Sequence, residues 1–186
     1  MKIIGISGSL RQRSFNTALL HAAARLLPEA VELEVIDLSP FPFYNGDLDT
    51  DGPPEAVRAV ERKIAEADGV LIASPEYNHS YSGVLKNAID WISRPPIRAL
   101  SEKPVAVIGA TPGRFGTARG QMNTRQLLHA IGAYALPKPE LLVTQAPIKF
   151  DDERQLTDED TIRVYRTLLE NFVRYIDLHS RTAQPV

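Results

Sequence analysis

The sequence has no cysteine, which excludes disulfides, thiolate metal sites, iron–sulfur clusters and a cysteine nucleophile. Any redox chemistry must therefore come from a bound cofactor. An excess of charge is missing too: Lys+Arg 21 against Asp+Glu 23 leaves a net charge of -2, whereas nucleic acid or an anionic membrane calls for a clustered basic excess. No nucleic-acid partner and no membrane partner is expected. Long apolar runs are also lacking. The opening MKIIGISGS breaks at Gly5 and Ser7 too early for a signal peptide, and no later stretch approaches a membrane span, so the expected compartment is the cytoplasm.

What is present fits an ordinary globular chain, with 44% hydrophobic and 24% charged residues over 186 positions, enough for one domain with a substantial core. A single domain over 1–186 is expected, with about 180–186 as a loose tail. Short apolar runs alternate with longer amphipathic stretches, the pattern of βα units around a parallel sheet. Strands are predicted at Ile3 to Ser7, Leu33 to Ile36, Val70 to Ser74 and Val105 to Ala110, with a weaker fifth around Glu140 to Val143. Helices are predicted at Asn16 to Leu27, Pro54 to Glu66, Val84 to Ser93, Gln121 to Ile131 and Asp158 to Leu178. Asp158 is a candidate N-cap, and Pro53-Pro54 suits the start of the second helix. Asp37 to Gly52, rich in Pro, Asp and Gly, reads as one long loop.

Runs such as VLIAS and VAVIGA show no polar alternation, as expected of strands covered on both faces. Right-handed crossovers then favour an α/β three-layer sandwich, a five-stranded parallel sheet in the order 2-1-3-4-5 with helices on both faces. On such a sheet ligands bind beyond the C-terminal ends of the strands, at the point where the winding reverses.

The loops after strands one, three and four meet at that point. The first, Ser7-Gly8-Ser9-Leu10-Arg11-Gln12-Arg13-Ser14-Phe15-Asn16-Thr17, is rich in hydroxyls, carries no acid and runs into a helix. A phosphate there would meet free backbone N–H groups and the positive end of the helix dipole, with Arg11 adding a charge-assisted bond. The alternative is a solvated turn with an N-cap. In the second loop, Ser74 to Gly83, Tyr77 can stack on a flat ligand or simply cover the end of the sheet. Ile89 and Trp91, in the helix that follows, read as packing residues. In the third loop, Ala110 to Arg119, Gly113 and Gly116 let the backbone approach a flat ligand and Thr111 can hydrogen-bond it; such glycine turns are common by themselves.

Other chemistries find little support. Gly5-x-x-Gly8 is not G-x-G-x-x-G, no Gly-Lys-Ser/Thr is present, and without that fingerprint Asp37 at the end of strand two is a weak candidate for a ribose-binding acid. The four histidines, His21, His79, His129 and His179, have no paired ligand spacing, so no metal is expected. Neither Ser9 nor Ser74 sits in a G-x-S-x-G elbow.

Gly8-Ser9-Leu10-Arg11 with Ser14 and Asn16, and Pro75-Glu76-Tyr77-Asn78 followed by Gly83-Val84-Leu85-Lys86-Asn87-Ala88-Ile89-Asp90-Trp91, resemble the phosphate loop and flavin loop of the NADPH-dependent FMN reductase family, which includes bacterial chromate and quinone reductases. The resemblance spans about Lys2 to Leu142 and implies a flavodoxin-like fold. It further implies bound FMN, with Ser9, Arg11, Ser14, Asn16 and Thr17 at its phosphate, Pro75, Glu76, Tyr77 and Asn78 facing the isoalloxazine, and Thr111, Gly113, Arg114 and Gly116 along its other side. The donor would be NADPH or NADH, and the acceptor a small oxidised molecule such as a quinone, or FMN, chromate or an azo compound. A homodimer or homotetramer is implied as well, with the flavin near an interface that the loop of Tyr44 and Asn45 could reach. Many relatives read Ser-x-Pro-Gly where this chain has Ser80-Tyr81-Ser82-Gly83, which bears on substrate choice. No catalytic acid or base is needed, because the flavin N5 carries the hydride; backbone N–H groups of the third loop are the candidates for hydrogen bonds near N1 and the C2 carbonyl. Arg154 is expected to matter far less than Arg11 for flavin retention. The competing readings are a flavodoxin-type electron carrier, for which -2 is too little acidity, and a flavin-free interaction module on the same fold.

Overall fold

The computed structural model describes residues 1–182. Strands β1 (Lys2–Ser7), β2 (Glu32–Ile36), β3 (Gly69–Ala73) and β4 (Pro104–Ala110) form a parallel sheet, with β5 (Tyr134–Ala135) and β6 (Leu141–Val143) both paired to β4. The order is β2-β1-β3-β4-β5, as the sequence predicts. The single fifth strand expected near Glu140 to Val143 is corrected in one respect: its place in the sheet is shared by two short pieces. Pro137 and Pro139 lie between them and cannot donate to the ladder of β4.

Side chains alternate along each strand and build a core on either face. Ile3, Leu71 and Ile108 pack with α1 (Phe15–Leu26) and α5 (Glu159–Thr182) on one side. On the other, Ile4, Ile72 and Val107 pack with α2 (Glu55–Glu66), α3 (Gly83–Ile92) and Leu128 of α4 (Ala118–Ala130). Asp158 caps α5, its Oδ1 accepting from the Thr161 N–H at 3.0 Å. That helix runs past Leu178 to Thr182, so the first positions of the expected tail are helical, and 183–186 lie outside the described residues. Among the described residues no helix is long and apolar enough to cross a membrane.

One charged side chain interrupts the buried stripe of α2. Glu61, 2% exposed, lies in line with Val57, Val60 and Ile64, and burial, with a smaller contribution from the charge of Asp49, raises its pKa. An unfolded glutamate ionises near about 4.3, whereas folded Glu61 holds its proton to higher pH. The unfolded state therefore loses protons first, and stability declines as pH rises from there toward the folded pKa. Glu61→Gln is expected to flatten that decline in urea titrations run upward in pH from the ordinary glutamate range; a slope matching the unsubstituted protein would assign it to other groups.

Candidate functional site

Strands β1, β3 and β4 end at one edge of the sheet, and the loops beyond them enclose a cleft of about 60 Å³. The first loop contributes Ser9, Arg11, Ser14 and Asn16 to it, the second Pro75, Glu76 and Tyr77, and the third Thr111. The remaining residues singled out in the sequence, Thr17, Asn78, Gly113, Arg114 and Gly116, do not line this cleft.

The first two loops touch at Gly8. A Cβ at that position would lie 2.9 Å from both Pro75 Cδ and Ser82 Oγ, so only glycine allows this approach without displacing a neighbour. Ser14 then caps α1, its Oγ accepting from the N–H groups of Asn16 (3.2 Å) and Thr17 (3.4 Å). Among the described residues the N–H groups of Leu10, Arg11, Gln12 and Arg13 donate to no protein acceptor, and the Arg11 guanidinium makes no hydrogen bond or ion pair. The first turn of α1 contains no acid. Unused donors, a free cation and the positive end of a helix dipole together form an anion seat.

Two residues of this loop are engaged inside the protein. Asn16, 5% exposed, donates from Nδ2 to the Ala110 carbonyl (3.1 Å) and accepts at Oδ1 from the Ala110 N–H (3.0 Å), clamping the start of α1 to the end of β4. Thr17 Oγ1 shares a hydrogen bond with Ser7 Oγ (2.8 Å) and faces a neighbouring groove. Glu76 likewise has an internal partner: its Oε2 accepts from the Gly120 N–H at 2.8 Å, at the N-terminus of α4. This cap comes from a distant loop, which is why α4 begins at Ala118, before the expected Gln121.

The second loop is a tight hairpin. Tyr77 and Ser80 exchange N–H···O bonds of 3.0 Å across Asn78 and His79, both at positive φ (50° and 64°), a backbone that asparagine tolerates well. Asn123 of α4 donates to the His79 carbonyl (3.0 Å), and the Tyr77 ring is left 52% exposed at the rim. In the third loop Thr111 Oγ1 accepts from the Gly113 N–H (3.3 Å), and the Gly113 carbonyl accepts from Gln145 (3.0 Å). Gly116 is buried at positive φ (63°), where an added Cβ would lie 3.0 Å from Leu142 Cβ, so it faces β6 and shapes the loop from behind.

Several contributors have roles that composition and motif spacing do not show. Ser82 Oγ donates to the Gly8 carbonyl (2.6 Å) while accepting from the Leu85 N–H (3.1 Å), so this hydroxyl ties the first loop to the cap of α3. Removing that hydroxyl in Ser82→Ala is expected to lower unfolding free energy by about 1–2 kcal/mol, the usual loss for an N-cap; an unchanged denaturation midpoint would show that water replaces both bonds. Trp91 is fully buried, and its Nε1 donates to the Pro42 carbonyl (2.9 Å), which also accepts from Asn87 Nδ2 (2.9 Å). Asn87 Oδ1 accepts from the Tyr44 N–H (2.8 Å), and the Tyr44 ring stands edge-on to Trp91 at 4.8 Å. The helix motif thus holds the long loop after β2. Arg154 lies over the ring of Phe15 at 4.2 Å, and Phe15 borders the cleft, so Arg154 packs beside the site without lining it. Among the described residues no cluster of His, Asp and Glu could hold a metal.

Residues 1–147 match the NADPH-dependent FMN reductase family. The chain belongs to this family. It is 47% identical over 159 residues to an NAD(P)H-dependent FMN reductase of Pseudomonas aeruginosa, covering 86% of each chain. It is 46% identical to an NADPH:quinone oxidoreductase of Arabidopsis thaliana, over 87% of this chain and 84% of that one. Among solved structures, the flavoenzyme NAD(P)H:(acceptor) oxidoreductase FerB of Paracoccus denitrificans superposes with a TM-score of 0.88 at 34% identity, over 96% of this chain and 98% of that one. The membership agrees with the geometry: the loops that resemble the family's motifs are those that close the cleft.

Proposed function

We propose that the cleft seats FMN and that the protein is an NAD(P)H oxidoreductase reducing quinones or related small acceptors. The observation that carries this reading is the anion seat of unused N–H groups beside free Arg11, opening into a cleft walled by the Tyr77 hairpin and the Thr111 turn. A cleft of about 60 Å³ holds only a phosphate and its first atoms, so a flat ring would lie across the rim where Tyr77 is exposed. FMN, when bound, supplies a ring that accepts a hydride at N5 and passes two electrons to the acceptor.

The chain's own residues then bind and orient. Ser9, Arg11 and the N–H groups of the first loop take the phosphate; Asn16 and Ser14 hold the shape of that loop. Pro75, Glu76, Tyr77 and Asn78 present a fixed hairpin edge to the ring, and the turn of Thr111, Gly113 and Arg114, backed by Gly116, borders its other side. Thr17 supports the seat through Ser7. The open rim lets donor and quinone occupy one place in turn. The cytoplasm is the proposed compartment, and the availability of NAD(P)H there supports it. A homodimer or homotetramer is the proposed assembly, supported by Phe43, 87% exposed beside the Tyr44 that Trp91 holds in place.

The test is reconstitution with FMN followed by steady-state kinetics. A yellow protein bleached by NADH or NADPH without a partner protein, and parallel double-reciprocal lines with a quinone, are the expected results. Protein that stays colourless with excess FMN would end the reading, and intersecting lines would end the shared-place mechanism.

A further inference from the structure

Asp37 has no part in the site described so far. Strand β2 ends at Ile36, in register with Ile6 of β1, so Asp37 emerges at the same sheet edge as Ser7 and the anion seat. Between the two strand ends runs a groove of about 420 Å³ that shares Ser9 and Arg11 with the flavin cleft. Leu10, Val35 and Leu38 give it apolar walls, and Asp37, Ser39 and Gln12 supply polar groups, the make-up of a small-molecule site.

The Asp37 carboxylate is fixed in this groove. The Ser39 N–H donates to Oδ1 (2.8 Å) and the Ser39 hydroxyl to Oδ2 (2.6 Å), and these bonds hold the carboxyl below its ordinary pKa. Each oxygen keeps a further lone pair, so an oriented anion offers paired acceptor positions to solvent. A vicinal diol has the matching pair of donors. An acid at the end of the second strand holds an adenosine ribose in dinucleotide-binding sheets; their glycine fingerprint is absent here, where the first loop is occupied with the flavin phosphate instead.

We infer that this groove receives the adenosine half of the nicotinamide donor, with Asp37 accepting from the 2′- and 3′-hydroxyls of the ribose, and that Asp37 thereby selects NADH over NADPH. The base packs against Leu10 and Leu38, which wall the groove. A 2′-phosphate would remove one donor and bring a second anion against the carboxylate. This inference rests on the flavin reading only in that the nicotinamide must reach the ring; the groove itself can be tested alone.

The experiment is titration calorimetry with ADP-ribose and with its 2′-phosphate derivative, on FMN-loaded protein and on Asp37→Asn. Asp37 is exposed and asparagine has its shape, so the fold is preserved. ADP-ribose is expected to bind the unsubstituted protein about tenfold or more tightly than the 2′-phosphate form, as loss of a charge-assisted bond implies. In Asp37→Asn its affinity falls about tenfold and the preference disappears, while the ratio of kcat/KM for NADH over NADPH drops through KM. Equal affinities in both proteins, or an Asp37→Asn variant that keeps the preference, would overturn the assignment. Protein that takes up no FMN would remove the flavin reading instead, and the same titration on it would still decide the groove.

Discussion

Arg11→Ala is expected to raise the dissociation constant for FMN about 10- to 100-fold, the effect of removing one or two charge-assisted hydrogen bonds of about 1.5–3 kcal/mol in all. Arg11 makes no hydrogen bond or ion pair among the described residues, so its loss leaves no buried partner exposed and the flavin-free protein should unfold at the same urea concentration. That separation between affinity and stability identifies a ligand contact. The comparison position must be chosen with care. Arg154 covers Phe15 at the cleft border, and its truncation would disturb the site through packing; Arg163, on the exposed face of α5 and paired with Asp160, is the neutral reference. Fluorescence of FMN released and rebound measures the constant directly. Equal retention in Arg11→Ala and Arg163→Ala would move the phosphate away from this seat.

The parts of the fold that were legible in the sequence are those set by local pattern. Strands β1, β3 and β4 are short apolar runs buried on both faces, and β2 alternates apolar and charged residues at the sheet edge, so their positions and the 2-1-3-4-5 order follow from periodicity and crossover handedness. The start of α4 was not legible, because its cap is the carboxylate of Glu76, far away in the chain. The divided outer strand depends on which residues lie opposite Pro137 and Pro139, and that is a property of register. The site divides in the same way. Ser9, Arg11, Ser14 and Tyr77 could be read from residue type and position after a strand. Asn16, Thr17 and Glu76 could be named but not given their roles, since an amide, a hydroxyl or a carboxylate looks alike whether it meets a ligand or a backbone group brought near by the sheet. Ser82, Asn87 and Trp91 act through the carbonyls of Gly8 and Pro42, and a main-chain acceptor leaves no mark in a sequence.

Asn16 is where the two kinds of role can be told apart most sharply. Its side chain pairs with both main-chain groups of Ala110 inside the protein, and the arrangement works in one orientation only: Nδ2 toward the carbonyl, Oδ1 toward the N–H. Asn16→Asp keeps the shape and the acceptor but turns the donor into a second carboxylate oxygen, buried against a carbonyl. An uncompensated buried charge of this kind destabilises by about 3–5 kcal/mol, and Asn16→Ala, which leaves the Ala110 groups unpaired, by about 1–3 kcal/mol for each. The loss in Asn16→Asp carries a pH signature. Burial and the facing carbonyl raise the folded-state pKa of the new acid above its unfolded value, so stability is retained at low pH, where the protonated acid donates as the amide did, and is lost as pH rises. Urea midpoints of the flavin-free variant at about pH 5 and pH 8 should therefore diverge by more than those of the unsubstituted protein, with the larger deficit at the higher pH. A residue that only held the FMN phosphate would behave the other way: flavin-free stability unchanged at both pH values, with FMN affinity alone reduced by charge repulsion. Since the clamp joins the first loop to the end of β4, opening it also separates the anion seat from the turn of Thr111, and flavin retention is expected to fall together with stability in both variants.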